Sequence, residues 1–274
     1  MTLLDSRAGE KLPSLVTKHS IKESKKHLRI LLAEDNLVNQ QVALKLLEKR
    51  GHNVMVAETG RKALEAVKKE NFDMVLMDIQ MPEMDGFETT EAIRRRERES
   101  GAHLPIIAMT ANAMEGDREK CLQAGMDAYL SKPIRSQELF DLIDKLTPDG
   151  EKLEQSAQPQ TNAAVFDRKA GLEHVGGDRD LLKQIVGIFL EDTPGQLLKI
   201  KETLEASDQK MLECYTHGLK GAASNVGAES VRKIAWDMEQ FSKQGNFDQV
   251  RNLYPQLEEA FNCTREYFKN NQGD

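Results

Sequence analysis

The sequence predicts an α/β domain built on a doubly wound, five-stranded parallel sheet, followed by an all-α domain that forms a four-helix bundle. Three observations lead to this prediction. Short apolar runs alternate with amphipathic stretches in the first half, a polar segment separates the halves, and only helical periodicity follows it. At 274 residues, the chain is long enough for each domain to have a hydrophobic core of its own.

The first domain is predicted over residues 28–147, after a polar, mildly basic tail at 1–27. Its five candidate strands lie at 28–34, 52–57, 72–78, 104–110 and 127–133. The runs are separated by amphipathic stretches, such as NQQVALKLLEKRG with its stop at Gly51, which predict helices. Because parallel strands are joined by helical crossovers, this alternation predicts a sheet that is covered on both faces.

The second domain is predicted over residues 166–270, beyond a flexible linker at 148–165 that is rich in polar residues and proline. Four amphipathic segments follow one another without a strand-like run, which is typical of a helical bundle. We expect Asp178 and Asp208 to be N-caps and Gly245 to stop a helix.

Composition narrows the function classes. The net charge of −7 argues against nucleic acid as the main ligand, and the basic run at 94–99 alternates with acids as a solvated helix face does. Cys121, Cys214 and Cys263 lie far apart and match no metal or disulfide spacing. The apolar runs are too short to span a bilayer and the N-terminal residues do not resemble a secretory signal, so we expect a cytoplasmic location.

Ligands of a doubly wound sheet bind beyond the carboxyl ends of its strands, where this chain places charged and hydroxyl side chains. The five residues are Glu34, Asp35, Asp78, Thr110 and Lys132. Three carboxylates in one place repel one another unless a cation lies among them, and all-oxygen ligands favour Mg²⁺. The cation and Lys132 would form a positive socket for a tetrahedral oxyanion. Asp78, on the middle strand, is therefore the candidate nucleophile towards a phosphoryl group.

Each of these residues also has a structural explanation when taken alone. Glu34 and Asp35 could cap the helix that begins near Leu37, and Thr110 could cap the helix that follows it. A single aspartate such as Asp78 is often a turn residue. The functional interpretation depends on all five residues falling at strand ends together.

Residues 28–146 resemble the receiver domain of two-component response regulators, on the motifs LLAEDN, DMVLMDIQMPEMDGFE, PIIAMTANAM and GMDAYLSKPI. The resemblance implies a flavodoxin-like fold in which Asp78 is the phosphoryl acceptor and Thr110 and Lys132 contact the phosphoryl oxygens. It also implies a set of Mg²⁺ ligands, namely Glu34, Asp35, Asp78 and the backbone carbonyl of Gln80. Tyr129 stands where the family often has an aromatic switch residue, and it could equally be an ordinary half-buried aromatic.

A second candidate site lies on a helix of the bundle. At 100° per residue, one helix face carries His217, Lys220, Gly221 and Ser224. The apolar seam of this helix lies on the far side, so we expect His217 to point to solvent. Glycine in a helix costs about 1 kcal/mol relative to alanine, so Gly218 and Gly221 indicate the close approach of another protein. A neutral imidazole is a competent phosphoryl acceptor, and Lys220 could neutralise the added charge, although an exposed histidine often has no role.

The motif HGLKGAASNVGA gives residues 166–270 a resemblance to a histidine phosphotransfer (HPt) domain, although Ala222 and Ala223 replace positions that often carry a hydroxyl. The order of the two domains resembles the C-terminal part of a hybrid sensor histidine kinase. Together the resemblances predict a phosphorelay from a phosphohistidine donor to Asp78, then to His217, and on to a downstream receiver. The expected partners are a sensor histidine kinase and a downstream response regulator. A membrane is expected only through a kinase that anchors or precedes the chain.

Two other functions stay open. Phosphorylation of Asp78 could switch the face around Tyr129 while the bundle is a passive interaction module. A DNA-binding regulator is disfavoured, because the acidic bundle lacks a basic recognition helix. The sequence has no Gly-rich loop of the Walker type, so we do not expect the chain to use ATP by itself.

Overall fold

The computed structural model describes residues 27–110, 115–147 and 168–270. The predicted linker and, apart from His27, the predicted tail lie outside the described residues.

The first domain has the predicted alternation of strands and helices. Its elements in chain order are β1 (Arg29–Ala33), α1 (Leu37–Lys49), β2 (Asn53–Ala57), α2 (Gly60–Lys69), β3 (Met74–Asp78), α3 (Gly86–Ser100), β4 (Ile106–Thr110), α4 (Glu115–Gln123), β5 (Ala128–Ser131) and α5 (Ser136–Leu146). All strands are parallel, in the order β2-β1-β3-β4-β5. The predicted doubly wound sheet is therefore confirmed, with β3 in its centre.

The sheet has a hydrophobic core on each face, since successive side chains of a strand point to opposite sides. In β1, Ile30 and Leu32 join the core on one face, whereas Leu31 and Ala33 join the core on the other. All four are inaccessible to solvent, as are the residues of β4 before Thr110. Burial on both faces explains why these strands read as continuous apolar runs and fixes where each strand ends.

The second domain is helical throughout its described part. Its helices are α6 (Arg168–His174), α7 (Arg179–Ala206), α8 (Gln209–Val226), α9 (Glu229–Lys243) and α10 (Phe247–Asn270). The four long helices are those expected of the bundle, and α6 is an additional helix of 7 residues. Asp178 and Asp208 are N-caps, as predicted, and accept hydrogen bonds from the backbone of Leu181 and Met211. Gly245 has a φ of +68° and follows the last turn of α9.

The two domains pack against each other through α1, which lies along α7 and α8. Asn225 Nδ2 on α8 donates to Asn39 Oδ1 on α1 at 2.8 Å, and Lys49 forms an ion pair of 2.7 Å with Asp178. The glycine face of α8 makes this approach possible. A Cβ atom at Gly221 would lie 3.0 Å from Asn39 Nδ2, which is tighter than an ordinary contact. The close neighbour predicted from the glycines is thus the first domain of the same chain.

Candidate functional site

Three carboxylates meet where β1 and β3 end. Ala33 and Met77 are register partners in these adjacent parallel strands, so the residues that follow them, Glu34 and Asp78, are brought side by side. One carboxylate oxygen each of Glu34, Asp35 and Asp78 lies within 4.8 Å of the others. Glu34 and Asp78 are each 1% exposed. The predicted convergence of acids thus exists as a buried cluster.

Lys132 lies in the same cluster, although the strand before it is at the edge of the sheet. It follows β5, and its Nζ lies 2.6 Å from both Glu34 Oε2 and Asp78 Oδ2. The backbone of Lys132 is held by a hydrogen bond of 2.6 Å to the carbonyl of Thr110, and its peptide bond to Pro133 is cis. Although burial lowers the pKa of Lys132, the charges of Asp78 and Glu34 outweigh this and raise it, so the amine is protonated.

One cation does not balance the cluster. Burial and the charge of Glu34 raise the pKa of Asp35 to about 7, and the same two causes raise the pKa of Asp78 against the opposing charge of Lys132. A further positive charge would therefore stabilise the ionised carboxylates of this cluster. All donors are oxygens, the set that a hard divalent cation such as Mg²⁺ prefers, so the residues present fit such an ion.

The remaining residues predicted for the first domain surround the cluster. The Gln80 backbone N–H donates to Asp78 Oδ1 at 3.2 Å, which places this loop directly beside the predicted acceptor. Thr110 is the last residue of β4, next to β3, and is buried. Tyr129 is half-buried on β5, with the Arg118 guanidinium 5.7 Å from its ring centre.

His217 does not point to solvent, and that expectation was wrong. His217 is 4% exposed. Its ring contacts Glu239 on α9 of the same bundle, and α1 of the first domain packs against the neighbouring Gly218 and Gly221 of α8. Burial lowers the pKa of His217 to about 4, although its hydrogen bond with Glu239 acts in the opposite direction. The imidazole is therefore neutral at physiological pH. Lys220 and Gly221 are also buried, and Ser224 is half-buried.

Sequence reasoning missed two residues of this site. Glu239 on α9 is 1% exposed and accepts hydrogen bonds from His217 Nδ1 at 3.2 Å and Lys220 Nζ at 2.5 Å. Cys214 on α8 has its Sγ 3.6 Å from Asp35 Oδ2 and 3.8 Å from the Gln80 carbonyl oxygen. Because Cys214 is three residues before His217, helical periodicity could have placed it on the same face. Nothing in the local pattern around Glu239 marks it.

Comparison with known families agrees with this fold. Residues 30–144 match the response regulator receiver domain, and residues 184–265 match the Hpt domain. The chain therefore carries a receiver domain followed by an Hpt domain, the combination found in two-component phosphorelay signalling.

The relatives of this chain include histidine kinases. Sensor histidine kinase GacS of Pseudomonas protegens is 35% identical over 223 residues, covering 79% of this chain and 24% of the relative. Signal transduction histidine-protein kinase BarA of Escherichia coli K12 is 31% identical over 257 residues, covering 90% of this chain and 28% of the relative. The chain thus spans about a quarter of the length of these relatives.

One solved structure illustrates the similarity of the receiver part. The receiver domain of sensor histidine kinase PA1611 from Pseudomonas aeruginosa, with a magnesium ion coordinated in its active site cleft, is 41% identical. The match covers 44% of this chain and 98% of the PA1611 receiver chain, with a TM-score of 0.41.

Among the described residues of the present chain, every helix is too short or too polar to cross a membrane.

Proposed function

We propose that Asp78 accepts a phosphoryl group from a phosphohistidine donor and passes it to His217 of the same chain. The observation that carries this proposal is the packing of α8 over the acidic cluster. Cys214, one turn before His217, contacts Asp35 in the cluster, and the charge of Lys132 is close enough to lower the pKa of His217. The donor would be a sensor histidine kinase, and a downstream receiver would take the group from His217.

Each residue around Asp78 has a defined role in this proposal. The ligands of a divalent cation would be Glu34, Asp35, Asp78 and the Gln80 carbonyl, and the bound cation would stabilise charge that develops on the transferred group. Lys132 neutralises the aspartate and one phosphoryl oxygen, and the Thr110 hydroxyl donates to another. Tyr129 is the proposed residue that responds to the state of Thr110. The apolar strand β3 fixes the attacking carboxylate in place.

Transfer to His217 needs a neutral imidazole, which the buried site provides. A ring nitrogen attacks phosphorus, the bond between phosphorus and the Asp78 oxygen breaks, and the electron pair stays on the Asp78 carboxylate beside Lys132. Lys220 lies one helical turn from His217 and balances part of the phosphoryl charge. Since the receiver covers His217, the onward step to another protein requires the two domains to separate.

The experiment is transfer of radiolabelled phosphate from a phosphorylated sensor histidine kinase to the full chain and to two variants. We expect label first on the acid-stable, base-labile Asp78 and then on the acid-labile His217. Asp78→Asn should take up no label, and His217→Gln should hold it on aspartate without passing it to a downstream receiver. A His217→Gln variant with unchanged downstream output would contradict the relay and favour the phosphorylation-controlled binding switch.

A further inference from the structure

Glu239, on α9, is a buried carboxylate that contacts His217 and Lys220 of α8. Its carboxylate contacts His217 Nδ1 at 3.2 Å, Lys220 Nζ at 2.5 Å and Lys243 Nζ at 2.7 Å, and the side chain is 1% exposed. Burial alone would raise its pKa, but the hydrogen bond from His217 and the charge of Lys220 lower it. Glu239 is therefore ionised, and an ionised carboxylate only accepts hydrogen bonds.

This contact decides which nitrogen of His217 carries the proton. A neutral imidazole has one N–H and one lone pair, and a carboxylate acceptor at Nδ1 requires the proton to be there. The lone pair is then on Nε2. Without such an acceptor a neutral imidazole populates both tautomers, and only the one with a free Nε2 can use that nitrogen as a nucleophile.

We propose that Glu239 is the positioning residue for phosphoryl transfer, because it selects the His217 tautomer whose Nε2 attacks phosphorus and fixes Lys220 beside it. The proposal rests on the proposed function of His217. In the step itself, the new bond joins Nε2 to phosphorus, the old bond to Asp78 breaks, and its electron pair stays on the Asp78 carboxylate. The Nδ1 proton does not move, and the ring becomes positively charged. Glu239 accepts the Nδ1–H bond throughout and balances that charge.

Glu239 also forms an ion pair with Lys243 of its own helix. Lys243 lies one turn along the same helix and is about one-third exposed. It contacts Glu239 Oε1, the oxygen that also faces His217 Nδ1, whereas Lys220 contacts Oε2. These two cations keep the carboxylate from rotating away from the imidazole. The arrangement resembles the carboxylates that orient a metal-bound or catalytic histidine through its second nitrogen.

The test begins with the unphosphorylated full chain. Nitrogen-15 NMR of the histidine rings reports the tautomer directly, and we expect Nδ1–H for His217. Observation of the Nε2–H tautomer in the wild-type protein would overturn the proposal without any variant. Because this readout needs no phosphoryl donor, it is independent of whether the relay itself operates.

The variants separate positioning from folding. Glu239→Gln keeps a carbonyl acceptor for Nδ1–H, so we expect the same tautomer and partial retention of Asp78-to-His217 transfer. Glu239→Ala should populate both tautomers and slow transfer by about tenfold or more. The matched control is Glu229→Ala on the same helix, whose carboxylate pairs with Arg232, and it should change neither readout. A folded Glu239→Ala chain with the wild-type tautomer and a transfer rate within twofold would overturn the proposal.

Discussion

At the scale of residues, the central feature is an excess of buried negative charge around Asp78. Lys132 is the only cation of the described residues that forms ion pairs with this cluster, at 2.6 Å to both Glu34 and Asp78. Removing one partner of a buried ion pair leaves uncompensated charge in a medium that solvates it poorly. Lys132 therefore stabilises the receiver fold as well as serving the proposed chemistry.

Lys132→Met should consequently destabilise the receiver. Methionine has a similar length and no charge, and we expect the free energy of unfolding to fall by about 3 kcal/mol in the absence of divalent cations. Because Mg²⁺ would replace part of the missing positive charge, millimolar Mg²⁺ should recover some of this loss. Denaturant unfolding with and without the cation measures both effects.

The matched control for this variant is Lys45→Met on α1. Lys45 forms an ion pair with Glu48 in which both side chains are more than 40% exposed, so its removal should change stability by less than about 0.5 kcal/mol. Equal losses for the two variants, or no recovery by Mg²⁺ at Lys132→Met, would contradict the electrostatic description of the pocket.

The site residues differ in how well the sequence could indicate them. Glu34, Asp78 and Lys132 were predicted to converge because parallel strands end at one edge of a sheet. The face of α8 that carries His217 also followed from helical periodicity. Glu239 could not be found in this way, since it lies 22 residues from His217 on a different helix and pairs with it only through the bundle.

At the scale of elements, strands and long helices were predictable because each has a regular apolar pattern. All five strands lie within the predicted runs, and the N-caps of α7 and α8 are the predicted aspartates. The helix α6, with 7 residues, is shorter than two turns and has too few positions to show a period. Its separate existence therefore did not follow from the sequence.

The element that decides contact between the domains is α8, through its glycine face. In Gly221→Ala, the new Cβ would lie 3.0 Å from Asn39 Nδ2 and 3.3 Å from Asn39 Oδ1. The Asn39 side chain, which is hydrogen-bonded to Glu34 and Asn225, must therefore shift by a few tenths of an ångström. We expect transfer from Asp78 to His217 to slow by about threefold to tenfold, since a shift of this size should cost less than the roughly 100-fold loss that a 1 Å misplacement causes. Single-turnover transfer within the full chain is the measurement.

Gly195→Ala on α7 provides the control for helix propensity. No described atom lies within 4 Å of a Cβ at this position, so the substitution should stabilise its helix by up to about 1 kcal/mol and leave transfer unchanged. Gly221→Ala gains the same intrinsic helix preference. If Gly221→Ala transferred label as fast as wild type, the packing of α1 on α8 would not be the arrangement that supports transfer.

At the scale of the whole molecule, the docking of the two domains was beyond sequence reasoning. The contact between them uses small and amide side chains, among them Asn39, Gly221 and Asn225, and such residues form no periodic apolar pattern. The glycines indicated that some protein approaches α8, but nothing in the pattern identified the receiver of the same chain. This is also why His217 was expected to be exposed.

Docking should depend on pH through His217. In the docked form its pKa is about 4, below the ordinary 6.5, because burial disfavours the charged ring near Lys220 and Lys132 despite Glu239. The docked form thus binds fewer protons between these values. The part of this shift that comes from docking favours the docked form fully above pH 6.5, and this advantage declines as the pH falls towards 4. Small-angle X-ray scattering across this range measures the opening.

His217→Gln is the control, because it removes this titration and retains a polar side chain. Asp35 acts in the opposite direction, since burial raises its pKa to about 7 and a raised carboxyl pKa favours the docked form at low pH. The contribution of His217 is therefore the difference between wild type and His217→Gln. Identical pH profiles for the two proteins would contradict the predicted link.

The most direct test of the account is the rate of phosphoryl transfer from Asp78 to His217 at different protein concentrations. Sites held together in one chain react at a rate set by their fixed geometry and independent of concentration. Label placed on Asp78 should reach His217 with the same half-time after about hundredfold dilution of the protein. A half-time that lengthens in proportion to the dilution would show that transfer occurs between chains and would contradict the docked site as the place of the reaction.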